Sequence, residues 1–193
     1  MNKNDVIEFF DAQAPKWDEG MIRYDDVIDV ILDNAGIRAG VDVLDVACGT
    51  GVLFPDYLKR GVGSLTAIDI SPKMAEIARS KFADRKVRVL CGDVEQMDAQ
   101  ERFDCIVVYN AFPHFPDPDG LIRKLSSMLK DGGVLTVAHG MSRAQIDYHH
   151  SGSAHSISNG LMHEDELAEI FAKYLTVTVK ISDERMYQVA GKK

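Results

Sequence analysis

The residues best suited to chemistry cluster early in the chain. Asp45-Val46-Ala47-Cys48-Gly49-Thr50-Gly51 is a short glycine-bearing run, and Asp69 follows 18 residues beyond Gly51. Glycines at such a turn permit positive φ and let a ligand approach the backbone closely. An acid roughly 20 residues further on matches the spacing at which a carboxylate accepts hydrogen bonds from ribose hydroxyls. Asp45 brings a second carboxylate to the loop, which favours a cation over a phosphate. The third glycine of a dinucleotide turn, needed for close helix packing beside a pyrophosphate, is replaced by Phe54. The pattern therefore describes a ligand with a ribose at one end and a cationic amino-acid tail at the other. A nicotinamide oxidoreductase is disfavoured on the same ground.

Two histidines stand where a proton could be taken. His114 lies in Asn110-Ala111-Phe112-Pro113-His114-Phe115, and His139 directly follows Val137-Ala138. Both fall after apolar runs that read as strands, and a histidine titrates near neutral pH, so both are candidate general bases. A second group, His149, His150 and His155 with Asp147 adjacent, has the residue types for a divalent metal. It lacks the helical H-x₃-H spacing, so the preferred reading of the polar segment 140–163 is a lid over the substrate, with no metal.

These residues need a scaffold that delivers them to one edge. Short apolar runs at Val41–Val46, Ser64–Ile70, Val87–Cys91, Phe103–Tyr109 and Val134–Ala138 alternate with helical patterns at Val52–Arg60, Pro72–Ala83 and Gly120–Leu129. Ser71-Pro72 supplies an N-cap followed by proline at the first helical position. A helix over Glu164–Tyr174 leads to Leu175–Ile181 and Met186–Ala190, which are close enough to form a hairpin. The expected fold is α/β, a doubly wound, mostly parallel seven-stranded sheet with helices on both faces and a C-terminal antiparallel hairpin. Two amphipathic segments, Asp5–Gln13 and Tyr24–Ala35, form an N-terminal helical cap over residues 1–36. All 193 residues read as one domain. Ligands of such sheets bind at the carboxyl ends of the strands, where the glycine loop and Asp69 belong.

Composition narrows the partners. The chain carries 30 acidic and 22 basic residues, a formal charge of −8, which opposes a polyanionic nucleic-acid substrate. No apolar run approaches the roughly 18–20 residues that span a bilayer. The N-terminal stretch lacks a signal-peptide apolar region. Three scattered cysteines, Cys48, Cys91 and Cys105, form neither a CxxC pair nor a disulfide framework. A cytoplasmic protein, monomer or homodimer, is expected.

The ordered motifs resemble the class I S-adenosylmethionine-dependent methyltransferases over essentially the whole chain. VLDVACGTG (Val43–Gly51) looks like their first motif, AIDIS (Ala67–Ser71) like the acidic strand end, and GDV (Gly92–Val94) like the adenine-contacting motif. FDCIVVYNAF (Phe103–Phe112) and LKDGGVLTV (Leu129–Val137) resemble the fourth- and fifth-strand motifs. FFDAQAPKWD (Phe9–Asp18) is similar to the opening of the ubiquinone/menaquinone-methyltransferase-like branch. The resemblance implies S-adenosylmethionine as cofactor and S-adenosylhomocysteine as product. It implies that Asp45 and the backbone of Ala47, Cys48, Gly49, Thr50 and Gly51 hold the methionine moiety. Asp69 would take the ribose and Ile70 would pack on adenine. Asp93 would accept from the adenine amino group with Val94 beside the ring, Asn110 would lie near the sulfonium, and Trp17 and Asp18 would help close the site. Ala47 stands where many members have glycine. The implied activity is methyl transfer to an oxygen, nitrogen or carbon nucleophile of a small molecule. An RNA or protein methyltransferase and a non-catalytic S-adenosylmethionine-binding protein are the alternatives.

Overall fold

Five β-branched runs become the parallel strands β1 (Asp42–Val46), β2 (Ser64–Asp69), β3 (Val87–Cys91), β4 (Phe103–Tyr109) and β5 (Leu129–His139) in a computed structural model. It describes residues 2–83, 86–98, 100–150 and 157–193, the side chains of 147–150 excepted. The final strands are β6 (Thr176–Ser182) and β7 (Tyr187–Lys192). The sheet order is β3-β2-β1-β4-β5-β7-β6. The chain order steps outward from β1 in both directions, which opens a crevice at the carboxyl ends on either side of β1. β7 inserts antiparallel between β5 and β6, with Val137 opposite Val189 and Ile181 opposite Gln188. The last strand is therefore interior and the penultimate one is the edge.

Alternation along the central strands splits the core in two. Leu44 and Val46 of β1, with Ile106 and Val108 of β4, face helices α5 (Pro118–Ser127) and α7 (Glu164–Ala172). Val43, Cys105 and Val107 face α2 (Asp25–Asn34), α3 (Phe54–Lys59) and Ala78 of α4 (Pro72–Lys81). Both faces of the parallel strands are covered, which is why they read as nearly continuous apolar runs. α4 starts as its sequence predicts, with Ser71 Oγ accepting from the Met74 backbone N–H.

Three elements depart from the sequence reading. α3 begins two residues late, because Gly51 turns the chain at φ +86° before a helix can form. β5 begins at Leu129, so Asp131-Gly132-Gly133 lies inside a strand rather than closing a helix. A register shift against β4 between Phe103 and Cys105 absorbs the glycines. The polar segment after β5 contains a helix, α6 (Arg143–His150), with Ile146 buried in the core.

At Gly51 a Cβ would lie 2.8 Å from Phe54 Cδ2, and the positive φ adds strain for any side chain. Gly51→Ala is expected to cost about 2 kcal/mol in denaturant unfolding. An unchanged denaturation midpoint would show that the loop relaxes instead. Phe54 itself is fully buried and packs edge-on against Phe82 with centroids 4.9 Å apart.

Candidate active site

The crevice at the carboxyl ends is a cavity of about 550 Å³, lined by the β1 loop Val46–Thr50, the ends of β2 and β3, and residues following β4. Asp69, Ile70, Asp93, Val94 and Asn110 all reach its wall, as do Ala47, Cys48, Gly49 and Thr50. The β1 turn is wound left-handed, with Ala47 at φ +54° and Gly49 at +56°. That conformation costs alanine on the order of 1 kcal/mol and none for glycine. It aims the turn's backbone into the cavity.

Asp69 ties this turn to the next one. Its Oδ2 accepts from the Gly49 N–H at 2.7 Å and its Oδ1 from the Ser71 N–H at 2.8 Å. Each oxygen keeps a further acceptor site for a ligand hydroxyl. Burial raises its carboxyl above the ordinary value, the two backbone N–H groups pull it back down, and Asp11 pushes it up again.

Asp45 is placed differently from the other predicted residues. It lies on β1 opposite Ala67 and Val107, is 2% exposed, and sits behind the turn, off the cavity wall. No described residue donates a hydrogen bond to it. Burial, with the negative charge of Asp69 second, holds its carboxyl well above the ordinary value. A buried acid without a donor is costly unless a cation arrives to use it. Together with the open turn in front of it, this fits a cationic ligand tail.

The roof comes from the N-terminus. α1 (Lys3–Gln13) and the 3₁₀ turn Ala14–Gly20 place Lys3, Val6, Phe10, Gln13 and Trp17 on the cavity. That spacing of three and four residues is one helical face. The sequence resemblance points to Trp17 and Asp18 in this segment and places Phe10 on its apolar face; Lys3 joins the site only in the structure. Polar latches fix the roof. Lys3 Nζ reaches Asp93 at 2.6 Å and also pairs with Glu95. Asp11 accepts from Ser71 Oγ and from the Lys73 N–H. Asp18 accepts from Thr50 Oγ1 at 2.6 Å and from Lys81 at 2.9 Å, and these contacts hold its carboxyl below the ordinary value against the opposing effect of burial, the largest single influence. Arg23 grips both oxygens of Asp56 at 2.9 Å. Trp17 meets Phe10 edge-on at 5.5 Å, and Phe10 meets His114 at 5.0 Å.

The two candidate bases part company. His114 lines the cavity, in the 3₁₀ turn Phe112–His114. His139 is 2% exposed at the end of β5, edge-on to Tyr187 at 6.1 Å, and lies off the cavity wall. β5 runs one residue past its sequence-predicted end, so His139 takes an inward strand position instead of a loop position. Asn110 turns left-handed at φ +53°, and its Oδ1 accepts from the Gly140 N–H at 3.0 Å, joining the ends of β4 and β5. Tyr109 beside it is pushed up to about 12 by burial. A Cβ at Gly140 would lie 2.3 Å from the Tyr109 hydroxyl, so a side chain there would displace the end of that ring.

His163 caps α7, accepting from the Asp165 N–H. The metal candidates His149, His150 and His155 lie outside the described residues, the first two in their side chains. Among the described residues no three His, Cys, Asp or Glu side chains gather as a metal site.

Residues 43–133, which carry the β1 turn, Asp69, Asp93 and Asn110, match the sequence pattern of the methyltransferase domain. The match spans 91 of the chain's 193 residues. Among curated relatives, a malonyl-[acyl-carrier protein] O-methyltransferase of Acetivibrio thermocellus is 38% identical over 99 residues, 51% of this chain and 35% of that protein. A ubiquinone biosynthesis O-methyltransferase of Xanthomonas axonopodis is 37% identical over 101 residues, 50% of this chain and 42% of that one. The chain thus matches less than half the length of these relatives. Magnesium protoporphyrin IX methyltransferase of Synechocystis, solved with S-adenosylhomocysteine, superposes with a TM-score of 0.76 at 16% identity, covering 99% of both chains. The N-methyltransferase NodS of Bradyrhizobium japonicum gives 0.72 at 18% identity, covering 100% and 99%. At such identities these two structures speak for the methyltransferase fold alone.

Proposed function

We propose that this chain is a class I S-adenosylmethionine-dependent methyltransferase that acts on a small molecule, transferring a methyl group to an oxygen. One observation carries the reading: a strand-end carboxylate, Asp69, and a histidine, His114, line the same roofed cavity. The oxygen acceptor is supported by the O-methyltransferase relatives. The acidic charge speaks against a polyanionic one.

S-adenosylmethionine, when bound, supplies a methyl group already activated on a sulfonium. The protein's tasks are therefore to hold, align and keep dry. Asp69 would take the ribose hydroxyls, and Asp93, Val94 and Ile70, which line the same cavity, would hold the adenine. Asp93 shares its carboxylate with Lys3, so adenine recognition and roof closure use one side chain. Asp45 would provide negative potential behind the turn Ala47–Gly51, whose backbone would hold the methionine tail. Asn110 and Trp17 bound the reacting end, and the apolar roof residues Val6 and Phe10 exclude water. His114 accepts the acceptor's proton. We assign no catalytic part to His139, which does not reach the wall.

We read residues 1–193 as one methyltransferase domain, with 1–36 as cap and 140–163, of which 151–156 lie outside the described residues, as lid. The chain works as a monomer or homodimer in the cytoplasm, a placement that the free thiols Cys48, Cys91 and Cys105 support. No helix of the described residues is long and apolar enough to cross a membrane.

Titration calorimetry with S-adenosylmethionine, S-adenosylhomocysteine and NAD tests the cofactor site. Binding of both sulfur ligands without NAD is expected, and the reverse would overturn the assignment. Asp69→Ala is expected to weaken S-adenosylhomocysteine by about 1.5 kcal/mol, the scale of one charge-assisted hydrogen bond. Unchanged affinity would remove Asp69 from the ribose.

A further inference from the structure

The 3₁₀ turn that carries His114 is held from outside by three consecutive hydrogen bonds. Asn159 N–H donates to the Pro113 carbonyl at 2.9 Å. His114 Nδ1 lies 2.8 Å from the Ile157 carbonyl. Asn159 Nδ2 donates to the Phe115 carbonyl at 3.2 Å. Residues 113, 114 and 115 are thus each tied to the short stretch 157–159. That stretch has a firm seat of its own, because the Ile157 and Leu161 side chains are buried at 2% and 5% exposure.

The middle bond fixes chemistry as well as position. A carbonyl oxygen only accepts, so His114 Nδ1 must carry the hydrogen. In the neutral ring the lone pair then resides on Nε2. The same logic orients ring nitrogens in catalytic and metal-binding histidines, where the partner of one nitrogen sets the state of the other.

We propose that Ile157 is a positioning residue for His114: its carbonyl fixes the Nδ1–H tautomer, and its buried side chain and the Asn159 bonds hold that carbonyl in place. The inference rests on the reading of His114 as the proton acceptor and adds what makes it competent. A base in the opposite tautomer would present a donor where it needs an acceptor. Residues 157–159 then serve as the support of the base.

The test is a long-range ¹H–¹⁵N correlation spectrum of the full chain, ¹⁵N-labelled at histidine and saturated with S-adenosylhomocysteine, at a pH where the ring is neutral. Signals of His114 are assigned by their loss in His114→Gln. A protonated Nδ1 and an unprotonated Nε2 are expected, and the Nε2–H form in the wild type would overturn the proposal. In Ile157→Ala the Nε2–H share is expected to rise about five- to tenfold, the population change for losing one hydrogen bond. An unchanged tautomer in a folded Ile157→Ala would also overturn it, and the wild-type spectrum decides the tautomer should that variant fail to fold. If the tautomer is as expected but His114→Gln retains full methyl turnover, the proton-acceptor reading fails and the positional assignment of Ile157 to the ring stands.

Discussion

Methyl turnover by His114→Gln is expected to fall about a hundredfold or more, the contribution of a positioned general base, with affinity for S-adenosylhomocysteine nearly unchanged. Glutamine keeps a hydrogen-bonding group on the cavity wall but cannot take a proton from the acceptor. The residues proposed to hold the cofactor belong to other elements: Asp69 ends β2, the glycine turn follows β1, and Asp93 follows β3. The loss should therefore appear in kcat, since the interaction removed strengthens only as the proton moves. Transfer of labelled methyl from S-adenosylmethionine to candidate acceptors, followed across pH, is the measurement. The acid limb of the wild-type profile, where a histidine base becomes protonated, should vanish in the variant. An acceptor that is already an anion, such as a carboxylate, needs no base. Full turnover of His114→Gln would point to that chemistry and end the role given to His114.

The contrast between His114 and His139 shows where sequence alone reaches its limit. Both follow apolar runs, and nothing in their neighbours separates a loop residue from the last residue of a strand. What separates them is the antiparallel seating of β7, which pairs Tyr187 with His139 and extends β5 over it. That pairing joins residues nearly fifty positions apart, and no local pattern encodes it. The glycine turn and Asp69 were legible for the opposite reason. Positive φ, the strand-end acid and their spacing are all local demands, written in adjacent residues. The roof lies between these cases. Its face of Lys3, Val6, Phe10, Gln13 and Trp17 is periodic in the sequence, but amphipathicity alone does not distinguish a helix covering a core from one covering a cavity. The latches decide: α1 buries only Val6 and is anchored through Lys3 and Asp11. Phe54 was informative by its bulk, because the volume it fills beside Gly51 is the space a pyrophosphate turn leaves to glycine.

Asp45→Asn is expected to act with opposite signs on stability and on binding. Asparagine matches the shape of the carboxyl and cannot ionise. In the ligand-free protein, burial and the charge of Asp69 raise the Asp45 carboxyl well above its ordinary value. The folded state then binds a proton that the unfolded chain has released. The associated stability is complete below the ordinary carboxylate value and is lost as pH rises through the folded value. The variant escapes that loss, so its thermal midpoint should match the wild type in acid and exceed it increasingly as pH rises. Binding runs the other way. The ammonium of the tail favours the ionised carboxylate, and a close unit charge pair at an effective dielectric of 20 is worth on the order of 3 kcal/mol. The wild type should therefore release a proton on binding S-adenosylhomocysteine, visible as a dependence of the calorimetric heat on the buffer's ionisation enthalpy, and should bind more tightly as pH rises. Asp45→Asn should lose about 3 kcal/mol of affinity at the alkaline end, a gap that closes towards acid. Burial, with the charge of Asp45 second, pushes the Cys48 thiol and the Tyr57 hydroxyl up as well. Equal affinity for the two proteins at every pH would mean that a carboxylate one layer behind the turn does not reach the ligand, and that Asp69 and the turn's backbone hold the methionine tail without it.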